Sequence, residues 1–131
     1  MVFALYKSVK PNGGFMIDYK LKDASTVELD MQGEITADDY KTIKPKLEQL
    51  FQERGRMKFL INVEKVKNFT LGAIYQDIKL DMQNLKYVGD TAIVGNKKAQ
   101  EYLTKFIDMI FPAKVEFFEG NTEAAAWLKT V

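Results

Sequence analysis

Asp38 with Asp39, and Glu116 with Glu119, are the nearest carboxylate groupings in this sequence. Metal binding or acid–base catalysis needs ordered ligand spacing or a basic partner in an evident turn, and neither grouping has one. Adjacent aspartates opening a helix have a simpler use, because negative charge there complements the helix dipole. The chain contains no cysteine and no histidine. That removes disulfides, thiolate nucleophiles, Cys or His zinc sites, the usual Ser-His-Asp triad and the commonest general base near neutral pH. "GNKK" at 95–98 offers a helix start to an anion but lacks the glycine-rich loop of a phosphate-binding motif. The chain is therefore read as noncatalytic, with no cofactor and no metal.

The residues that remain conspicuous are apolar. In the stretch "EYLTKFIDMIFP", a helical projection spreads Tyr102, Leu103, Phe106, Ile107, Met109, Ile110 and Phe111 over an arc of roughly 200°, with Lys98, Glu101, Lys105 and Asp108 in the remainder. A helix docked on one sheet needs a stripe of only about 100°. A neighbouring helix could cover the surplus, a second copy of the chain could cover it, or it could line a nonpolar cavity or enter a lipid surface. Met and aromatic side chains adapt to varied apolar ligands. Lys97, Lys98, Lys105 and Lys114 beside them fit an interfacial helix, and equally an ordinary solubilising face.

The elements that would position this surface follow from pattern. "GFMIDYKLKDASTVELDMQGEI" reads as two strands joined at "KDAS", whose Asp and Ser favour a turn. Thr36 can cap the helix "TADDYKTIKPKLEQLFQERG", with Asp39 at the capping-box position; Tyr40, Ile43, Leu47, Leu50 and Phe51 keep helical spacing, Pro45 should bend the helix, and Gly55 ends it. "MKFLINVEKV" is a buried strand. Thr70 can cap "LGAIYQDIKLDMQNL", in which Leu71, Ile74, Tyr75, Ile78, Met82 and Leu85 share one stripe about 100° wide. "TAIVG" is a short strand, Asn96 the cap of a helix from Lys97 to Phe111, and Pro112 its stop. "KVEFFEG" is the last strand, and "NTEAAAWLKTV" a closing helix anchored by Trp127 and Leu128.

This order predicts one α/β domain, a sandwich with a mixed five-stranded sheet and four helices. Its length of 131 residues suits a single core. The net charge of +1 supplies no field for a polyanion, so nucleic acid is not expected as a partner. The opening "MVFALYKSVKPNGG" lacks the marks of a secretory signal, and no stretch approaches about 18 uninterrupted apolar residues. The expected location is cytoplasmic, with peripheral contact at the inner membrane surface.

From "ITADDYKTIKPKLEQLFQERGRMKFLINVEKV" through "LGAIYQDIKL", "AIVGNKKAQEYLTKF" and "PAKVEFFEGNTEAAAWLK", the sequence resembles the SpoIIAA-like bacterial proteins. The resemblance covers roughly residues 15 to 130, leaving 1–12 as an N-terminal extension and 13–131 as the domain. It implies the fold of STAS domains, which is similar to that of CRAL-TRIO lipid carriers. Anti-anti-sigma factors of this fold carry an Asp-Ser-Ser-Gly type turn whose second serine is phosphorylated by a kinase partner. With the glycine matched to Gly72, that serine position is Leu71 and the acidic position is Phe69, so the switch does not carry over; Thr70 is the one nearby acceptor. The functional expectation is a binding protein that accepts a hydrophobic small molecule or lipid between its amphipathic helices. Its site would comprise Leu71, Ile74, Tyr75, Ile78, Met82, Tyr102, Leu103, Phe106, Ile107, Met109, Ile110 and Phe111. The alternative is a protein-interaction module or homodimer related to the anti-anti-sigma factors.

Overall fold

A computed structural model describes residues 6–9, 15–35, 37–69, 85–105, 107 and 113–131. Alternating apolar residues in Phe15–Asp23 (β2) and Thr26–Ile35 (β3) produce an antiparallel hairpin, with Ile17, Tyr19, Val27 and Leu29 buried on one face. Its turn forms where expected. The Asp23 carboxylate accepts hydrogen bonds from the Ser25 backbone N–H at 2.9 Å and the Ser25 hydroxyl at 3.2 Å, an Asx-type closure.

The strand Tyr6–Val9 (β1) pairs antiparallel with β2. Met57–Phe69 (β4), Val88–Val94 (β5) and Val115–Phe118 (β6) then add in parallel beyond β3. The sheet order is β1-β2-β3-β4-β5-β6. The five strands expected from the sequence are thus present in a mixed sheet, and a sixth comes from the segment read as an extension. The outer edge of β2 holds unpaired backbone donors and acceptors that the short Tyr6–Val9 strand satisfies, so part of that segment belongs to the sheet.

Three helices lie among the described residues: Ala37–Arg54 (α1), Lys97–Thr104 (α2) and Asn121–Leu128 (α3). The fourth expected helix, together with Thr70, Leu71, Ile74, Tyr75, Ile78 and Met82, lies outside the described residues except for its last residue, Leu85, which is helical and half-buried. So does Thr36, the expected cap of α1.

Helix α1 continues through Pro45, which is exposed, so the backbone bond it removes lies on the solvent side. Ile43, Leu50 and Phe51 pack on Ile17, Tyr19, Val27, Leu29, Met57 and Phe59. The Phe51 ring stacks on Tyr87 at 5.4 Å and meets Phe59 edge-on at 6.1 Å. Gly55 ends the helix at φ +78°, a left-handed position that favours glycine, and its N–H donates to the Phe51 carbonyl at 2.8 Å. On the opposite sheet face, Ala124 and Leu128 of α3 pack against Leu60, Ala92 and Val94, with Phe118 and Trp127 at the margin. Thr91, fully buried in β5, has its hydroxyl satisfied by the Gly89 carbonyl at 3.0 Å.

Candidate functional site

Helix α2 is placed by its first turn. The Asn96 side chain accepts from the Ala99 N–H at 2.9 Å, the expected N-cap, and Gln100 Nε2 donates to the Gly95 carbonyl at 3.2 Å. A Cβ added at Gly95 would lie 2.9 Å from Val63 Cγ2 and 3.3 Å from the Ala99 Cβ. The glycine therefore lets the start of α2 seat closely against β4.

From there the helix is amphipathic. Lys97, Lys98, Glu101, Thr104 and Lys105 are exposed, whereas Ala99 and Leu103 are buried against Val63 and Ile93. Tyr102 and Ile107 are only partly buried, packed at the margin of the same cluster with Ile61, Val66, Val115 and Phe117. The Lys105 N–H reaches back to the Tyr102 carbonyl at 3.3 Å, and Ile107 is again helical.

Of the expected apolar site, the structure brings Tyr102, Leu103 and Ile107 into one cluster. Phe106, Met109, Ile110 and Phe111 lie outside the described residues. Lys114 does not join the α2 lysines: its ammonium sits over the Trp127 ring at 5.8 Å, beside α3.

Sequence spacing missed two polar groupings that the topology assembles. The register sets Asp18 directly opposite Asp30 across β2 and β3, and Asp30 beside Asn62 of β4. One Asp18 carboxylate oxygen is buried with no hydrogen-bond partner among the described residues. Burial holds the Asp30 pKa above its ordinary value; Lys65 opposes this, while Asp18, Glu28 and Glu64 add to it. Among the described residues no group of three acidic side chains is arranged to hold a metal ion.

The second grouping is a cleft of about 240 Å³ lined by Lys22, Asp23, Ser25, Thr26, Lys58, Ala125, Leu128 and Lys129. It joins the β2–β3 turn, the start of β4 and the end of α3, three segments far apart in the chain. The only local sign of it in the sequence is the "KDAS" turn.

A mixed sheet with helices on both faces, entered by a hairpin and continued by parallel crossovers, defines the class of this molecule. The SpoIIAA-like family model matches residues 26–129, and the chain belongs to that family. It is also similar to the crystal structure of an uncharacterized protein of the DUF3478 family with a SpoIIAA-like fold, from Shewanella loihica PV-4. The TM-score is 0.65 at 22% identity, over 98% of this chain and 96% of that one. At that identity the likeness is one of fold. Comparison with curated proteins gives no match.

Proposed function

We propose that this SpoIIAA-like chain is a noncatalytic binding protein that takes a hydrophobic small molecule or lipid along the apolar side of α2, and associates reversibly with membrane surfaces through it. The observation that supports this reading is the position of Tyr102 and Ile107. Both flank the buried Leu103 yet keep part of their surface open, and the sequence continues from them into Met109, Ile110 and Phe111. Fully burying two exposed apolar side chains contributes about 3 to 6 kcal/mol before ordering costs; Tyr102 and Ile107, already partly buried, would contribute only part of that, which suits weak reversible binding. The exposed Lys97, Lys98 and Lys105 would meet anionic headgroups. Among the described residues no helix is long and apolar enough to cross a membrane.

The test is cosedimentation with vesicles containing phosphatidylglycerol, together with mass spectrometry of the organic extract of natively purified protein. Binding that falls with added salt and with Ile107→Glu is the expected result. A folded wild type that ignores vesicles and fluorescent fatty acids, yet forms a dimer broken by Ile107→Glu, would assign the surface to a protein interface instead.

A further inference from the structure

The cleft between the β2–β3 turn and the end of α3 is separate from the α2 surface. Thr26 opens β3 and Lys58 lies near the start of β4, with their side chains on the sheet face that carries α3. Helix α2 packs on the other face, against Val63 and Ile93, towards the far ends of the parallel strands.

Three lysines and one aspartate line the cleft. Its negative groups are already engaged. The Asp23 carboxylate is pushed up by burial, but hydrogen bonds from Ser25 and Thr26 outweigh this and hold its pKa below the ordinary value. The last carbonyls of α3 bring about half a negative charge to the cleft, and Lys58 meets them, donating one Nζ–H to the Leu128 carbonyl at 2.7 Å. An ammonium has three protons, so Lys58 keeps two. Lys22 and Lys129 stand exposed at the mouth, while Thr26 is buried and Ala125 and Leu128 supply apolar wall. The result is a recess with surplus positive charge in a chain whose overall charge is only +1.

We propose that this cleft binds a phosphate group. Lysines act on phosphate as mobile point charges, and three around one recess suit a dianion better than the single charge of a carboxylate. Size narrows the choice further. Sites for drug-sized ligands occupy about 300 to 1,000 Å³, and this cleft at about 240 Å³ takes a phosphate with a short organic body. The same chemistry is offered by a phosphorylated small molecule in solution and by the monoester headgroup of phosphatidate.

The test is nitrogen–proton correlation NMR of the full chain, titrated with inorganic phosphate and with glycerol phosphate against sodium chloride at equal ionic strength. A parallel arm uses phosphatidylcholine vesicles with and without phosphatidate. Saturable shifts of the Ser25, Thr26, Lys58 and Lys129 amides with the soluble probes identify a free ligand, and a response to phosphatidate vesicles alone identifies the headgroup. Reversing the two exposed charges together, Lys22→Glu with Lys129→Glu, should weaken binding by about tenfold or more, and unchanged far-ultraviolet circular dichroism would show that the variant is folded. Shifts that fail to saturate at these amides with every phosphate probe, or wild-type affinity in the folded double variant, would overturn the proposal.

Discussion

Asp30 is a carboxylate whose charge is at odds with its position. It faces Asp18 across the hairpin register, and burial raises its pKa in the folded protein. A raised folded-state pKa means that the folded chain holds the proton more tightly than the unfolded chain. Stability therefore falls as pH rises from the ordinary carboxylate value through the raised one, and the loss persists above it. Asp30→Asn keeps the shape and removes the charge, so the variant should resist urea better than wild type at neutral pH. That advantage should vanish at about pH 3, where both side chains are neutral. Equal midpoints at neutral pH would show that Lys65 compensates the carboxylate fully. Asp23 has the opposite sign: with its pKa lowered, it contributes stability above the ordinary value that is lost as pH falls through the lowered one. These two aspartates also mark what was legible residue by residue. The Asp23–Ser25 turn and the Asn96 cap depend on neighbours two or three positions away, and both could be read from the chain. The Asp18–Asp30 pairing depends on the hairpin register, which an irregularity between Leu21 and Asp23 shifts by one residue from the one the turn alone would set.

Elements were legible where one face of a helix or strand is buried. Helix α1 keeps its apolar spacing up to Gly55, and β2 and β3 alternate as half-buried strands do. Boundaries were less so: β4 runs on to Phe69, beyond the apolar run that announced it, because pairing with β3 continues past the buried segment. On α2 the periodicity separates Leu103, 9% exposed, from the flanking Tyr102 and Ile107. That separation gives two different expectations from one helix. Leu103→Ala empties a site between Val63 and Ile93 and should cost about 2 to 5 kcal/mol in denaturant unfolding. Ile107→Glu, at the partly open margin, should cost clearly less while removing vesicle binding. Equal losses of stability from the two would mean that Ile107 is core, and the proposed binding surface would lose its described half. The width of the full apolar arc could be read in sequence; what covers it could not, since that depends on how neighbouring elements pack and not on the helix's own spacing.

At the scale of the molecule, chain order and sheet order coincide, so each strand after the hairpin is added at the same growing edge of the sheet. Alternating strand and helix patterns made the α/β class readable, since the long connection that a parallel crossover needs is usually a helix. The strand Tyr6–Val9 was not readable as such, because four residues are too few for periodicity to decide, and its strand form follows from the free edge of β2. This position predicts what its removal does. Among the described side chains, the core clusters on both sheet faces are built from residues 17 to 128, and the family match begins only at residue 26. A chain lacking residues 1–9 should therefore fold with nearly unchanged circular dichroism. It should also expose the edge of β2 from Met16 to Tyr19, whose backbone groups β1 otherwise occupies. An unpaired edge of that kind recruits another strand, and an identical edge on a second copy is the one always available. Sedimentation velocity should then show the shortened chain associating as concentration rises while the full chain does so less. A shortened chain that stays as monomeric as the full one would mean that β1 does not guard the sheet's edge and that something else in the fold does.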